Sequence, residues 1–329
     1  MTRILVTTVP FGTRDPTPLE QMKERGLEYV INPLNKKLTE EELIELIPEF
    51  DVLIAGTEPI TERVLERAKR LKFISRVGIG LDSVDLTAAR RLGMRVSYTP
   101  DAPAAAVAEL SVGLMLSLLR GIHLSNADLH QKIWHRHFGR RLGEVTVGLI
   151  GLGRVGSRVL EHLRGFDCPK ILCNDIQPNL KLGEGLPIEW VEKETIYDRA
   201  DLISLHVPLT PNTRDLISLA ELEAMKSDAL LLNTSRGGII HEADLHQALT
   251  QNKIGGAAMD VFEQEPYSGP LSELQNCLMT AHMGSMSVDC RTRMEIEATQ
   301  EALRFIGDEP LIGEVPEMEY ELQLGMKLS

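Results

Sequence analysis

Three side chains that could act together in one reaction are Arg236, Glu265 and His282, and each follows a short apolar run of strand character. The carboxyl ends of parallel strands meet at one edge of a sheet, so these groups are expected to lie together there. The planar arginine fork binds a carboxylate, and a histidine transfers a proton at neutral pH. A carboxylate on the far imidazole nitrogen fixes the tautomer. His282 alone could equally be structural, but with its two partners it is an acid/base candidate for the chemistry of a 2-oxo acid.

A glycine-rich turn supplies the second chemical signal. Gly151, Gly153 and Gly156 have the spacing G-x-G-x-x-G between an apolar run of strand type and a helical pattern. The first glycine permits a tight turn, the second lets the backbone approach a pyrophosphate, and the third lets the helix pack close to the strand. Asp175 follows the next apolar run, nineteen residues beyond Gly156, where its carboxylate would bind ribose hydroxyls. The pattern predicts a dinucleotide site that favours NAD over NADP, and the alternative is a glycine-rich turn in another kind of α/β protein.

Composition limits the classes of partner. The 329 residues are too many for one ordinary domain and suit two. A net charge of −13 argues against nucleic acid as the main partner, because binding phosphates requires a basic face. The cysteines have neither paired nor metal-ligand spacing, and the N-terminus has no signal-peptide pattern, so we expect a cytoplasmic protein with reduced thiols and no metal site. The cysteines are Cys168, Cys173, Cys277 and Cys290.

The elements needed to position these groups are predicted by alternating strand and helix patterns. Residues 3–97 contain five such steps, which are typical of a small doubly wound sheet. The alternation resumes after the glycine turn and ends with a helix over residues 291–306. The sequence therefore predicts an α/β protein with two doubly wound parallel-sheet domains. From Glu309 onward the chain is predicted to be a polar tail with no clear partner.

Two segments allow competing interpretations. Residues 102–119 are nearly all apolar, with Glu109 in the middle. We interpret them as a helix buried between domains or between subunits, with a membrane span as the alternative. His135 and His137 flank Arg136 in a stretch with further arginines, where a solvated basic loop is favoured over a site. The histidines on predicted helices receive no role: His123, His130, His162, His241 and His246.

Seven motifs, in order along the chain, carry a family resemblance. They are RVGIGLDSVDL, PAAAVAELSVGLML, VGLIGLGRVGSRV, LHVPLTPNTRDLI, LLNTSRGGIIHEADL, AAMDVFEQEP and TAHMGS. With them the chain resembles the D-2-hydroxyacid dehydrogenase family, most of all its phosphoglycerate dehydrogenase-like branch, as far as about Gly313. The resemblance implies a Rossmann NAD-binding domain, residues 99–284, inserted into a flavodoxin-like substrate domain, residues 1–98 and 285–315, with a C-terminal tail at 316–329.

The resemblance also implies roles for individual residues. Arg236, Glu265 and His282 would catalyse hydride transfer between NAD and a small D-2-hydroxy acid, which interconverts that acid and its 2-oxo acid. The substrate would be held by backbone N–H groups of Val77, Gly78 and Ile79 and by the side chains of Arg236 and His282. The residues implied to bind NAD are Gly151, Gly153, Arg154, Val155 and Gly156 at the pyrophosphate turn, Asp175 at the ribose, and His206, Pro208 and Thr213 around the adenosine half. On the nicotinamide side they are Thr234, Ser235, Asp260, His282 and Gly284, and Arg236 is implied to contact NAD as well. Residues 102–119 would form the interface of a homodimer.

Departures from the family pattern bear on the substrate. The loop AGTEPIT carries Glu58 where a phosphate-binding arginine is expected, which argues against 3-phosphoglycerate. Where the family usually has Thr-Pro-His, this chain has Thr280-Ala281-His282, so the acid/base histidine is kept. Two function classes stay open, a D-2-hydroxyacid dehydrogenase and a non-catalytic NAD(H)-sensing protein on the same scaffold. The intact catalytic set favours the enzyme, because a sensor requires no acid/base and the fold alone does not choose.

Overall fold

The computed structural model describes residues 2–325, which form two sheets and the helices that cover them. The strands β1 to β12 are, in chain order, Arg3–Val6, Glu28–Ile31, Val52–Ala55, Phe73–Arg76, Arg95–Tyr98, Thr146–Ile150, Lys170–Asn174, Ile188–Trp190, Leu202–Leu205, Leu230–Asn233, Gly256–Met259 and Cys277–Met279. The helices α1 to α12 are Thr17–Glu24, Glu40–Leu46, Glu62–Arg67, Leu86–Arg91, Ala104–Arg120, Ile122–His130, Arg154–His162, Lys193–Arg199, Leu219–Ala224, Glu242–Thr250, Val288–Ile306 and Glu317–Gln323. The chain divides into two compact units, Met1–Pro103 with Met286–Ser329, and Ala104–Ser285.

The first unit is built on β1 to β5, which pair in parallel in the order β2-β1-β3-β4-β5. This is the flavodoxin-like doubly wound order. Strands of such sheets are nearly continuous apolar runs because helices cover both faces, and β3 is buried at every residue. Helix α11, from the second part of this unit, packs against β3, β4 and β5. Phe305 of α11 stacks on Phe73 of β4 with the ring centroids 4.6 Å apart.

The C-terminal segment is part of the first unit, so the predicted polar tail without a partner is wrong for the described residues. The Val315 N–H donates to Val96 O of β5 at 3.0 Å. In α12, Tyr320 is buried, and the Arg90 guanidinium lies 3.5 Å from its ring centroid. The charged side chains of this segment therefore serve packing on the first unit. Residues 326–329, also assigned to the tail, lie outside the described residues.

The second unit is built on β6 to β12 in the order β12-β11-β10-β9-β6-β7-β8, and every pairing is parallel. Counted from its first strand, this is the Rossmann order with one further strand at an edge. The predicted fold class of two doubly wound parallel sheets is therefore confirmed. The strand order reverses between β6 and β9, and such sheets bind ligands in the crevice outside the carboxyl ends at that switch point.

Helix α5 contains the apolar stretch that was predicted to lie between domains or between subunits. It packs against α7, β10 and β11 of its own unit, and Ala108, Met115 and Leu119 are among its core residues. Its apolar composition therefore serves the core of the second unit. Within residues 2–325, no single helix is long and apolar enough to cross a membrane, although α5 and α6 reach that length and hydropathy together, with a 66° bend between them.

Candidate active site

The glycine-rich turn lies at the switch point of the seven-stranded sheet, directly after β6. Gly151 has φ +91°, and a Cβ there would lie 2.6 Å from His206 O at the end of β9. A Cβ on Gly156 would lie 1.9 Å from Gly151 O, so α7 approaches the turn as closely as only glycine allows. A Cβ on Gly153 would meet nothing within 4 Å. The turn therefore leaves space before the N-terminus of α7, where free N–H groups and the helix dipole favour a pyrophosphate.

Asp175 closes the same turn from the end of β7. Its Oδ2 accepts a hydrogen bond from the Leu152 N–H at 2.6 Å, and its Oδ1 accepts from the Gln177 N–H at 2.9 Å. A carboxylate has about four acceptor positions, so about two remain for the vicinal hydroxyls of a ribose. Arg154 and Val155 begin α7 immediately after the turn, as a pyrophosphate site requires. These residues fit NAD, because a 2′-phosphate would meet the carboxylate.

The loop after β9 contains the three residues predicted to line the adenosine half of NAD. His206 adjoins Gly151, and its Nε2 lies 2.9 Å from Ser204 Oγ. Burial lowers the pKa of His206 to about 4, so its imidazole is neutral at physiological pH. Thr213 fixes the loop by donating its hydroxyl to Pro208 O at 2.6 Å. The structure thus places these residues in one loop that begins beside the glycine turn.

Glu265 and His282 meet at the carboxyl edge of the seven-stranded sheet, in the loops after β11 and β12. The imidazole Nδ1 lies 2.8 and 3.0 Å from the two carboxylate oxygens of Glu265. Because a carboxylate only accepts, we assign the ring proton to Nδ1, which leaves Nε2 to exchange a proton with a substrate. The Phe262 N–H donates to Glu265 Oε1 at 3.1 Å and fixes the carboxylate. Both side chains stay partly exposed, His282 at 35%, so a substrate can reach the pair.

Asp260 holds the loop that carries His282. It is buried after β11, and its carboxylate accepts from the Thr280 hydroxyl at 2.5 Å, the Met283 N–H at 2.7 Å and the Gly284 N–H at 2.9 Å. Its backbone oxygen accepts the His282 N–H at 2.8 Å. His282 has φ +50°, a left-handed conformation that costs about 1–2 kcal/mol for a residue with a side chain. The hydrogen bonds to Asp260 offset that cost and set the direction of the imidazole.

Arg236 lies in the loop after β10, the neighbour of β11. The Asn233 side-chain amide donates to Arg236 O at 2.8 Å and closes this turn. The loop approaches the next one so closely that a Cβ on Gly237 would lie 2.0 Å from the Phe262 carbonyl carbon. Arg236 is therefore beside the segment that carries Glu265. The three side chains predicted to act together therefore follow adjacent strands, β10, β11 and β12, at one edge of the sheet.

Thr234 and Ser235, predicted to line the nicotinamide side, make contacts within the second unit. The Ser235 hydroxyl donates to Leu205 O at 2.6 Å, and the Thr234 hydroxyl lies 2.8 Å from Ser111 Oγ of α5. These bonds tie the loop after β10 to β9 and to α5, and so they support the position of Arg236. The contacts of these residues with NAD stay predictions, as do those of Asp260 and Gly284.

In the first unit, the three residues predicted to hold the substrate carboxylate follow β4. The Val77 N–H donates to Ala55 O at 2.9 Å, and the Gly78 N–H donates to the Thr99 hydroxyl at 2.7 Å. Gly78 has φ +134°, which favours glycine. Two of the three predicted backbone donors are thus engaged within the unit. Their predicted role requires a carboxylate to bind through Ile79 or to displace Thr99.

Two residues near the catalytic pair received no role from the sequence. The Thr280 hydroxyl donates to the Asp260 carboxylate. Its position two residues before His282 is the one sequence signal for a role in supporting that histidine. Glu242 begins α10, and its Oε1 accepts the Glu263 N–H at 2.7 Å. Burial raises the pKa of Glu242, and the neighbouring charges of Glu263 and Glu265 raise it further. No local pattern links Glu242 to the site, because α10 meets the loop after β11 only in the folded unit.

Comparisons with known proteins point to one enzyme family. Residues 112–284 match the family model described as D-isomer specific 2-hydroxyacid dehydrogenase, NAD binding domain. The chain is 35% identical over 293 residues to hydroxypyruvate reductase of Thermotoga maritima, covering 87% of this chain and 93% of that protein. It is 40% identical over 260 residues to D-3-phosphoglycerate dehydrogenase of Methanocaldococcus jannaschii, covering 77% of this chain and 49% of that protein. The chain therefore spans about half the length of the latter.

Solved structures are similar over nearly the whole chain. The TT0316 protein of Thermus thermophilus has a TM-score of 0.86 at 32% identity, covering 96% of this chain and 100% of that one. D-lactate dehydrogenase of Aquifex aeolicus, complexed with NAD and lactic acid, has a TM-score of 0.82 at 26% identity, covering 93% of this chain and 96% of that one. The chain belongs to the D-isomer specific 2-hydroxyacid dehydrogenase family. It is an NAD-dependent oxidoreductase that acts on CH–OH donors, which confirms the enzyme class favoured by the sequence over a sensor.

Proposed function

We propose that this enzyme interconverts small, unphosphorylated D-2-hydroxy acids and their 2-oxo acids, with His282 as the acid/base. The observation that carries the proposal is the hydrogen-bonded pair of His282 Nδ1 and the Glu265 carboxylate. Nε2 would donate a proton to the substrate carbonyl oxygen during reduction and take it back during oxidation. Glu265 would hold the tautomer and stabilise the protonated ring. NADH, when bound, supplies the hydride.

Arg236 would bind the substrate carboxylate through two parallel charge-assisted hydrogen bonds. Its loop follows β10 beside the loop that carries Glu265, and the hydrogen bond from the Asn233 side-chain amide to Arg236 O supports that position. A fixed guanidinium orients the substrate and draws electron density from the neighbouring carbonyl. Both effects favour hydride addition at carbon 2.

The loops of the first unit argue for an unphosphorylated substrate. Glu58 is buried in the loop after β3, and its carboxylate accepts the Gly56 N–H at 3.0 Å. Strand β3 neighbours β4, which precedes residues 77–79, so this carboxylate lies in a loop at the same sheet edge as the predicted substrate donors. Arg291 of α11 lies in the same unit, but its guanidinium is paired with Glu295 at 2.7 Å. An added phosphate would therefore be disfavoured at this edge.

The substrate class is tested by NADH oxidation with equal concentrations of glyoxylate, hydroxypyruvate, pyruvate and 3-phosphohydroxypyruvate. We expect turnover of at least one unphosphorylated acid, with kcat/KM at least about tenfold lower for the phosphorylated one. Preference for the phosphorylated acid would contradict the substrate class. Failure to turn over any 2-oxo acid would contradict the proposed reaction.

The residue roles are tested by Arg236→Lys and His282→Ala, each measured twice. Lysine keeps the charge but loses the fork, so Arg236→Lys should raise KM for the oxo acid and lower kcat. His282→Ala should lower kcat on the order of 100-fold or more. NADH affinity, from fluorescence titration, should stay nearly unchanged in both variants. Loss of NADH binding in parallel with the rate would make the residue a cofactor ligand or a structural residue.

We further propose that the enzyme is a homodimer, with an interface that extends beyond the predicted residues 102–119. Eight of the 17 residues of α5 are buried. Large apolar side chains are exposed directly after it, in residues 122–138, which we call the apolar arm. They are Ile122, Leu129, Ile133, Trp134 and Phe138, with Trp134 80% exposed. Such a set marks an association surface. Light scattering should give twice the chain mass, and Trp134→Ser combined with Phe138→Ser should give monomers; a monomeric wild type contradicts the proposal.

A further inference from the structure

Three side chains at the end of α6 form a cluster that the hydride chemistry does not use. Asp128 lies in the last turn of α6, and His135 and His137 lie in the segment that follows. Their ligand atoms all lie within 4.8 Å of one another. Asp128 Oδ2 is 2.8 Å from His137 Nε2 and 3.6 Å from His135 Nδ1. Across residues 2–325, this is the one group of three or more His, Cys, Asp or Glu side chains placed so closely.

The turn after α6 creates the cluster. The Lys132 N–H donates to Leu129 O at 3.0 Å, and the Ile133 N–H donates to Asp128 O at 2.9 Å. Lys132 has φ +63°, so the helix ends in a left-handed turn of the Schellman type. Such a turn reverses the chain direction. The two histidines therefore return along the last helical turn, where the Asp128 carboxylate lies.

The far end of the returning segment is fixed as well. The Arg140 N–H donates to Leu119 O at 2.9 Å, and Gly139 packs so closely there that a Cβ would lie 2.2 Å from the same oxygen. The His137 side chain packs against Gly121, where a Cβ would lie 3.2 Å from His137 Cβ. The segment is thus anchored at both ends of the cluster. Ligands held close in advance lose less conformational entropy when an ion binds.

We propose that Asp128, His135 and His137 bind Zn²⁺ or a similar divalent transition metal that prefers imidazole. Metal–ligand distances of about 2.0–2.1 Å in a tetrahedral site place the ligand atoms about 3.3 Å apart. The distances of 2.8 and 3.6 Å from Asp128 Oδ2 lie on either side of that value. Two imidazoles and a carboxylate, with water in the fourth position, form an established zinc ligand set. The ion replaces the proton shared by His137 Nε2 and Asp128, and that proton leaves to solvent.

The charges around the cluster are mixed, because Lys132 and Arg136 are exposed in the same segment while Asp128 supplies a carboxylate. A basic loop was the favoured interpretation of this stretch because of its arginines, but two of them are paired elsewhere. Arg140 lies 3.1 Å from Asp228, and Arg141 lies 3.3 Å from Glu144. The chain as a whole carries a net charge of −13. Mg²⁺ and Ca²⁺ prefer oxygen ligands in six-coordinate or larger sites, so they should not compete.

A bound ion would cross-link the end of α6 to the segment that returns along it. Trp134 and Phe138 flank the two histidines, so the ion would brace the apolar arm and leave the NAD site untouched. We therefore expect the ion to stabilise the fold of this segment and to take no part in the reaction. NADH oxidation should be unchanged when the ligands are replaced.

The experiment uses tag-free protein that has been stripped of metal with EDTA and titrated separately with Zn²⁺, Co²⁺ and Mg²⁺. We expect one Zn²⁺ per chain, visible absorption of four-coordinate Co²⁺, and no saturable Mg²⁺ binding. His135→Ala, at a side chain 61% exposed, should fold normally and weaken Zn²⁺ binding by about 100-fold. Zn²⁺ at about 100 times its Kd should raise the wild-type Tm by about 5 °C.

Asp128→Asn separates a metal site from a purely structural hydrogen bond. Asparagine can still accept the His137 N–H. If Asp128 only makes this structural hydrogen bond, Asp128→Asn should therefore respond to Zn²⁺ as the wild type does. The metal proposal predicts loss of the Tm shift, because an amide is a poor zinc ligand. His130→Ala, on α6 but outside the cluster, is the matched control and should bind Zn²⁺ as wild type does. Absence of saturable Zn²⁺ binding, or binding unchanged in His135→Ala and Asp128→Asn, overturns the proposal.

Discussion

The substitution Asp260→Asn should lower turnover by misplacing His282 while leaving NADH bound. The Asp260 carboxylate accepts three hydrogen bonds, from Thr280, Met283 and Gly284. All three donors belong to the loop that carries the acid/base. The substitution keeps the size and shape of the side chain. Any effect therefore comes from the loss of the charge and the change in hydrogen bonding.

The size of the effect follows from the acceptors that are lost. An amide has one acceptor oxygen and one NH₂ donor, so the NH₂ would face the Gly284 N–H and leave it buried without an acceptor, at about 1–3 kcal/mol. The bonds from Thr280 and Met283 lose their charge assistance, about 1 kcal/mol each. Together these losses amount to on the order of 3–5 kcal/mol. The left-handed conformation of His282 costs only about 1–2 kcal/mol, so the remaining bonds no longer offset it. The loop should relax, and a displacement of about 1 Å at a reacting group costs about 100-fold in rate.

The assay compares steady-state kcat and KM with NADH affinity from fluorescence titration. Asp260→Asn should lower kcat by about 100-fold with little change in NADH affinity. Thr280→Val is the graded control, because it removes one donor and keeps the carboxylate and both backbone bonds. It should lower kcat by about tenfold or less.

Three outcomes would refute this reasoning. A loss of NADH affinity as large as the loss of rate would mean that Asp260 acts on the cofactor, as the family resemblance implies. An unchanged kcat together with a lowered Tm would mean that other contacts hold the His282 loop. A larger rate loss in Thr280→Val than in Asp260→Asn would also contradict the ranking of the hydrogen bonds.

Two further predictions concern the cofactor side. Asp175→Ala should narrow the preference for NADH over NADPH, mainly through KM for the cofactor, because the carboxylate no longer repels a 2′-phosphate; a wild type that uses both equally would contradict this role. Burial lowers the pKa of His206 to about 4, whereas the unfolded chain protonates it near the usual value of about 6.5. The folded state is therefore favoured by this neutral imidazole fully above about pH 6.5, and that contribution is lost as the pH falls towards 4. The free energy of unfolding should fall by at most about 3 kcal/mol for this reason. Chemical denaturation from pH 7 to 4 should show a shallower loss of stability in His206→Gln, and an unchanged slope would contradict the assigned pKa.

The catalytic pair and the glycine turn could be predicted because both depend on where strands end. Apolar runs locate the strands, and parallel order brings their carboxyl ends to one edge. Glu265 and His282 are separated by 17 positions, yet they lie 2.8 Å apart for this reason. Strand β8 was not predicted, because a glutamate separates its two apolar residues, Ile188 and Trp190, and leaves no apolar run.

The supporting role of Asp260 could not be predicted from the sequence. The resemblance assigned it to the nicotinamide side, and nothing in the motif indicates that its carboxylate faces the next loop. That contact depends on the register of β11 with β12, which places Met259 opposite Met279. The left-handed conformation of His282 is also invisible in the sequence, because histidine is not a residue that requires it.

The C-terminal segment was predicted to be a tail because it has few apolar side chains, and its partners explain the error. Glu314 pairs with Arg95 of β5 at 2.8 Å, although the two residues are 219 positions apart. Strand β5 is an edge of the five-stranded sheet, and an edge presents backbone groups that a further segment can cover. Which strand forms the edge is decided by the order of the whole sheet, and no local pattern encodes that order. A polar segment can therefore be structural when its charges match those beside the edge it covers, and low apolar content alone cannot distinguish it from a tail.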